Sequence, residues 1–227
     1  MIAFDHVSKR YAAGPEALSD LSFELDAGEM AFVTGHSGAG KSTLLRLIGL
    51  LERPNRGQVM VDGRNLGQVR RRGVAQVRRR IGMVFQDHRL LLDRSVFDNV
   101  ALPLVIAGID RGERDARVRA ALDKVGLLAR EQARPLALSA GEQQRVGIAR
   151  AVVARPAVLI ADEPTGNLDP QLAADIMALF AGVQRAGTTV LVASHDLHLV
   201  KRMNKRVLVL DHGKLIDDFR PQAAPMA

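Results

Sequence analysis

Hydrophobic and polar positions alternate along the first seven residues. Ile2, Phe4 and Val7 are separated by residues that can face water, so the pattern predicts a half-exposed strand over Ile2–Val7. Leu21-Ser22-Phe23-Glu24-Leu25 repeats the alternation, and Ala27-Gly28-Glu29 turns the chain into Met30-Ala31-Phe32-Val33, an unbroken apolar run that reads as a buried strand. The period then changes: Leu44, Leu45, Leu47, Ile48 and Leu51 recur at helical spacing until Pro54 and Gly57 break it. Val59-Met60-Val61 predicts a short strand turned by Asp62-Gly63, and Ile81-Gly82-Met83-Val84-Phe85 another that ends at Gln86. From His88 to about Arg155 the pattern is helical. Ala116, Val118, Ala121, Leu122 and Val125 form one stripe stopped by Gly126, and Ser139-Ala140-Gly141-Glu142 opens a helix carrying Val146, Ile148, Ala149 and Val152.

Strand and helix alternate again afterwards. Val158-Leu159-Ile160-Ala161 and Thr189–Ala193 are buried strands flanking a helix that Asp169-Pro170 starts and that runs to about Arg185. Val207–Leu210 and Lys214–Ile216 flank the hairpin signal Asp211-His212-Gly213, and Pro221–Ala227 reads as a frayed tail. Continuous apolar strands separated by helices predict an α/β fold with a mostly parallel sheet covered on both faces, into which the helical middle is inserted.

Composition narrows the classes. With 227 residues, 47% hydrophobic and 25% charged, the chain can bury one good core with a subdomain. It has no cysteine, which excludes a disulfide framework and thiolate-held zinc or iron–sulfur sites. The longest largely apolar run, Val100–Ile109, is about half of the roughly 20 residues a membrane span needs and contains Pro103 and Gly108. Met1 leads at once into a strand pattern, so no signal peptide is expected, and any action at a membrane requires a partner. The net charge of +7 is uneven: Arg64–Arg80 holds seven arginines and no acid, a stretch that suits either an anionic surface or a solvated, partly helical face. One tyrosine and no tryptophan leave few stacking platforms, which argues against single-stranded nucleic acid.

The chemistry concentrates where the buried strand Met30–Val33 meets the following helix. Gly35-His36-Ser37-Gly38-Ala39-Gly40-Lys41-Ser42, followed by Thr43, matches the phosphate-loop pattern G-x-x-x-x-G-K-[ST] in the strand–loop–helix setting that the pattern requires. Backbone N–H groups of such a turn converge on an anion and the helix dipole adds to them. Lys41 is then placed for the β- and γ-phosphates, and the Ser42 hydroxyl for Mg²⁺. The esterase pattern G-x-S-x-G fails at Ala39, so Ser37 is not read as a nucleophile. A second chemical feature ends the strand Val158–Ala161, where Asp162 and Glu163 follow. Adjacent strand residues point to opposite sides, so the two acids can take separate tasks: Asp162 on Mg²⁺, Glu163 on the attacking water. Ligands of open α/β sheets sit beyond this end of the strands.

Together these motifs make the chain resemble the nucleotide-binding subunits of ATP-binding cassette (ABC) transporters from Ile2 to about Asp217. Leu138-Ser139-Ala140-Gly141-Glu142-Gln143 is similar to the family signature Leu-Ser-Gly-Gly-Gln, with Ala140 where glycine is usual. The resemblance implies a phosphate-loop NTPase fold: a RecA-like, mostly parallel core with an N-terminal antiparallel β-subdomain over residues 1–87 and 156–218, a helical subdomain over 88–155 and a tail over 219–227. It implies ATP and Mg²⁺ as ligands, with Tyr11 on adenine and Ser42, Gln86 and Asp162 at the metal. It further implies catalytic roles for Lys41, Gln86, Glu163 and His195, Asn167-Leu168-Asp169 crossing a dimer seam, and Ser139, Gly141 and Glu142 closing over the nucleotide of a second copy. Ser139-x-x-Glu142 is also a capping box, and one helix start can serve both purposes. Ser194-His195-Asp196 is not a catalytic triad, because consecutive residues cannot face one another in that way.

The resemblance separates two classes within the family. DNA-acting cassettes carry long or zinc-bearing insertions between phosphate loop and signature. Here Lys41 and Ser139 are only 98 positions apart and there is no cysteine, so no nucleic-acid partner is expected. The cell-division members of the family are the nearest in pattern, through Thr34–Leu45, Ile81–His88, Ala121–Leu128 and Gly141–Val153. They imply an ATP-state homodimer on the cytoplasmic face of the bacterial inner membrane, bound to a polytopic membrane protein and controlling cell-wall hydrolases. Lipoprotein-release and macrolide-export members share most of the motifs. Leu90, Leu91 and Leu92, in the stretch Gln86–Arg94, need cover from either the core or a helix of the membrane partner.

Overall fold

The computed structural model describes residues 1–12, 14–166 and 168–220. The expected tail Pro221–Ala227 and Asn167 of the expected seam loop lie outside the described residues. Strands β1 (Ile2–Arg10), β2 (Glu16–Leu25) and β3 (Met30–Thr34) lead to helix α1 (Lys41–Ile48). Strands β4 (Arg56–Val61) and β5 (Arg64–Asn65), helix α2 (Val74–Arg78) and strand β6 (Ile81–Val84) follow. Helices α3 (Val96–Ile106), α4 (Arg111–Lys124) and α5 (Ala140–Val152) make up the middle. The chain returns through β7 (Val158–Asp162), α6 (Pro170–Arg185), β8 (Thr189–Ala193), α7 (Leu197–Met203), β9 (Arg206–Asp211) and β10 (Lys214–Phe219).

Two sheets result. An antiparallel sheet has the order β2-β1-β4-β5, and a larger sheet the order β10-β9-β3-β8-β7-β6, parallel except for the final hairpin. The pleat explains why the central strands β3 and β7 are apolar up to their last residue. On β3, Ala31 and Val33 enter one core with Leu44, Leu45, Phe4 and Leu21, while Met30 and Phe32 enter a second with Ile176 and Phe180. β7 divides likewise, with Val158 and Ile160 on the first side and Leu159 and Ala161 on the second. A third core, built from Val100, Leu104, Val118, Leu122, Val146 and Ala149, belongs to helices α3–α5.

Local chemistry sets the ends of these elements. Ser95 caps α3 by accepting from the Asp98 N–H, Asp110 caps α4 through the Gly112 N–H, and Asp169 caps α6 through the N–H groups of Gln171 and Leu172. Boundaries differ from the sequence pattern at several points: β1 runs on to Arg10, β4 starts at Arg56, and the helix expected from His88 begins only at Val96. β2 begins at Glu16, five residues before the alternation starts, because register irregularities against β1 and a left-handed Asp20 (φ 53°) disturb the period there. α1 stops at Ile48 with Gly49 at its end, so Leu51 lies beyond the helix and stays exposed. β6 ends at Val84, and residues 85–95 are not helical. The arginine-rich stretch becomes β5, two 3-10 turns and α2, and several of its side chains are anchored. Arg78 donates to the Leu50 carbonyl, Arg79 to that of Ile106, and Arg80 pairs with Asp62. Among the described residues no helix is long and apolar enough to cross a membrane.

Candidate active site

β3 delivers the phosphate loop to α1. The N-cap, Gly40, is left-handed (φ 106°), and a Cβ there would lie 2.6 Å from the Ala17 carbonyl oxygen, so only glycine permits this approach to β2. No side chain caps α1 and no acid occupies its first turn, which leaves the helix start to an anion. Gly38 is also left-handed (φ 83°), but a Cβ there would meet nothing within 4 Å, so its glycine answers to backbone conformation alone. Lys41, at the first helical position, is buried. Its Nζ donates to the carbonyls of Gly35 (2.8 Å) and His36 (3.1 Å) and lies 4.0 Å from Glu163 Oε1. The Tyr11 hydroxyl is 3.5 Å from Thr43 Oγ1, which brings the one tyrosine onto the same helix start.

The two successive acids diverge as strand geometry requires. Asp162, the last residue of β7, accepts from the Ser42 hydroxyl at 3.2 Å. Two hard oxygen donors side by side are a donor set that suits Mg²⁺. Glu163 leaves the strand in the left-handed region (φ 46°), an arrangement that costs about 1–3 kcal/mol in a non-glycine residue. Its N–H donates to the Ala193 carbonyl, and its side chain turns to His195. Oε2 lies 2.8 Å from His195 Nδ1 and accepts from the His195 backbone N–H at 3.3 Å. Asp196 instead caps α7 through the Leu199 N–H, and Ser194 Oγ accepts from the Asp196 N–H, so these neighbours of His195 form no triad. A cleft of about 720 Å³ runs alongside, lined by Ser42, Asp162, Gln86, Phe85 and Arg89. Gln86 sits two residues past the end of β6 and faces the same space as the two oxygen donors.

Ser139, Gly141 and Glu142 stand apart from this group. Ser139 Oγ accepts from the Glu142 N–H (3.2 Å), and Glu142 Oε2 accepts from the Ser139 N–H (2.8 Å), a complete capping box at the start of α5. The Ser139 N–H, with Arg130 also nearby, holds the Glu142 carboxyl below the usual carboxylate range. Gly141 is buried against α6, where a Cβ would come within 2.3 Å of Leu172 Cδ2. Ala140 is exposed. The hydrogen bonds and ion pairs of Ser139 and Glu142 among the described residues are all within the helical region, and none reaches the phosphate loop.

Two residues absent from the sequence reading shape the segment after Gln86. Arg150 on α5 donates to the carbonyls of His88 (2.6 Å) and Arg89 (2.7 Å), and both of those residues are left-handed. Asn99, fully buried on α3, accepts from the Leu91 N–H and donates to the carbonyls of Leu91 and Ser95. A polar amide inside the apolar run Val96–Ile106 is the signal that points to Asn99. The three leucines divide: Leu90 packs on the helical core, while Leu91 and Leu92 are 41% and 50% exposed.

Known proteins share this architecture. The ABC transporter family pattern matches residues 18–166. The chain is 56% identical over 215 residues to the cell division ATP-binding protein FtsE of Escherichia coli, covering 95% of this chain and 97% of that one. It is 47% identical to the FtsE of Mycobacterium tuberculosis over 219 residues, 96% and 95% of the two chains. Among solved structures it superposes on the ATP-binding cassette MJ0796, a dimer in a post-hydrolysis state bound to ADP and Pi. The TM-score is 0.91 at 32% identity, covering 99% of this chain and all of that one.

Proposed function

The chain belongs to the ABC transporter family and is an ATPase, and from that premise we propose that it is the nucleotide-hydrolysing subunit of a cell-division complex. The observation that carries the reading is the convergence of Lys41, the Ser42–Asp162 pair and the Glu163–His195 pair at one edge of the parallel sheet. Lys41 exchanges the carbonyls of Gly35 and His36 for the β- and γ-phosphates, which the open N-terminus of α1 also binds. Residues 35–43 wrap the phosphates and Tyr11 meets the adenine. Ser42 and Asp162, with Gln86, would hold Mg²⁺, which would supply positive charge to offset that of the phosphates. Glu163 takes a proton from water, whose oxygen attacks the γ-phosphorus as the bond to the ADP oxygen breaks. His195 fixes the direction of the Glu163 carboxylate and faces the γ-phosphate.

The second half of the site comes from another copy. Residues 1–87 and 156–218 hold the nucleotide, while residues 88–155 present Ser139, Gly141 and Glu142 to the γ-phosphate bound by the partner. The separation of the capping box from the phosphate loop in one chain, together with the dimeric state of MJ0796, supports this reading. The near full-length identity to FtsE supports the division role, with a polytopic inner-membrane partner resembling FtsX and a peripheral position on the cytoplasmic face. No nucleic acid takes part.

Leu91 and Leu92 are the apolar surface offered to that membrane partner. Affinity purification from membranes tests the assignment: an FtsX-like polytopic protein should co-purify, and Leu91→Glu should weaken its retention while ATP binding persists. Recovery of a lipoprotein-release or macrolide-export permease would reassign the system, and undiminished retention by the variant would move the docking surface elsewhere.

A further inference from the structure

The outer shoulder of the phosphate loop carries side chains that take no part in phosphate binding as proposed here, which falls to the loop's backbone N–H groups and Lys41. His36 is the second residue of the loop, and the β9–β10 turn brings Asp211 and His212 against it. His36 Nε2 lies 3.0 Å from Asp211 Oδ1, and His212 Nδ1 lies 2.9 Å from the same oxygen. The two imidazole rings are 4.7 Å apart and tilted by 53°. Backbone packing fixes this meeting. The Gly213 N–H donates to the Ala39 carbonyl at 3.1 Å, and a Cβ on Gly35 would lie 2.2 Å from the Leu210 carbonyl oxygen.

The tautomer of His36 follows from its other contact. Nδ1 is 2.6 Å from the Ser37 carbonyl oxygen, and a carbonyl only accepts, so the hydrogen of the neutral ring sits on Nδ1. Nε2 then aims a lone pair at a carboxylate oxygen, which also has only lone pairs to offer. Two acceptors at that distance need a cation between them, either a proton or a metal ion. A ring N–H anchored on a backbone carbonyl is the arrangement that orients a metal-binding imidazole. One ligating atom from each of the three residues lies within 4.8 Å of the other two, with His36 and His212 exposed and Asp211 half-buried, and one ion would draw them to about 2.0–2.2 Å. Two nitrogens and one oxygen suit Zn²⁺ and its transition-metal neighbours, whereas Mg²⁺ prefers an all-oxygen set such as Ser42 and Asp162.

We propose that His36, Asp211 and His212 form a Zn²⁺-class site that ties the phosphate loop to the β9–β10 hairpin. The site is separate from the Mg²⁺ position and does not depend on the cell-division reading. The test uses the full untagged chain without nucleotide, titrated with Co²⁺ by visible absorption and with Zn²⁺ by calorimetry. The expected result is one ion per chain in the natural protein. His212→Ala and Asp211→Asn should each weaken binding by at least about tenfold. The metal-free thermal unfolding of both variants and the basal ATPase of His212→Ala should stay unchanged. No uptake by the natural protein, or uptake equal in both variants, overturns the proposal. So does a titration in which His36 gains a proton near neutral pH and no metal displaces it.

Discussion

The phosphate loop and the segment Phe85–Arg94 both continue from buried parallel strands, β3 and β6, but they are held in different ways. The loop folds largely on itself, with β2 and the β9–β10 hairpin packed closely against it. Gly40 allows the approach to Ala17, Lys41 folds back on the carbonyls of Gly35 and His36, and α1 begins at once. The Phe85–Arg94 segment has turns of its own, with the His88 N–H on the Phe85 carbonyl and the Arg94 N–H on that of Leu91, but it also leans on residues far along the chain. His88 and Arg89 are left-handed at φ 55° and 47°, and their carbonyls are bound by Arg150, some sixty residues later in the chain. Asn99 holds Leu91 from a third place. One end of the cleft is therefore preformed, while the other takes its shape from where the helices stand. In the proposed mechanism that difference would place chemistry in the first region and let the helices α3–α5 bear on the second, where Gln86 lines the cleft.

The largest expected effect lies on the chemical side. Glu163→Gln should reduce kcat by about 10²–10⁴-fold while ATP stays bound, measured as phosphate release at saturating nucleotide. With the proton acceptor gone, the variant should accumulate as an ATP-bound dimer in solution scattering. Near-normal turnover would place the base elsewhere and remove the chemical half of the contrast.

Next comes Arg150→Ala on the transmitting side. Loss of a half-buried guanidinium that serves two carbonyls should cost about 1.5–3 kcal/mol in chemical unfolding. Hydrogen exchange at residues 88–92 should rise well above that at residues 35–43. Equal protection of the two stretches in the variant would mean that the segment is as self-supporting as the loop.

The same contrast governs what the sequence discloses. The loop, the strand ending in Asp162 and the capping box are legible because each is encoded within a dozen residues: periodicity gives the element, and glycine, serine or acid gives its end. The six-stranded order, with β3 between β9 and β8, is not legible, because pleated strands apolar on both faces pair equally well in many orders. The path of residues 85–95 is hidden for a related reason. Helical stripes through Ala116–Val125 and Val146–Val152 predict helices, but nothing local says that Arg150 reaches back to His88. The three leucines at 90–92 show the limit most directly, since one enters the core and two face solvent. The pairing of His36 with His212 needed the sheet order before it had any meaning.

The smallest expected effects test whether the start of α5 belongs to the self-supporting kind or to the transmitted kind. Its capping box is local, so Ser139→Ala should cost about 1 kcal/mol in unfolding, the usual weight of an N-cap. Glu142→Gln retains the acceptor for the Ser139 N–H and removes only the charge, so its penalty should be smaller still. The sign with pH is fixed. The folded Glu142 carboxyl titrates below its unfolded value, so its contribution is complete above the ordinary carboxylate range and is lost as pH falls through the lowered folded value. The gap in melting temperature between the natural chain and Glu142→Gln should therefore be full at neutral pH and close in acid. A gap that persisted below the folded value would show that shape, not charge, sets the difference. Because Ser139 has no bond to the phosphate loop of its own chain, Ser139→Ala should leave ATP binding to the single subunit intact. Its effect on turnover should appear only where dimers form, and a defect already present in monomer binding would tie α5 to the chemical region after all.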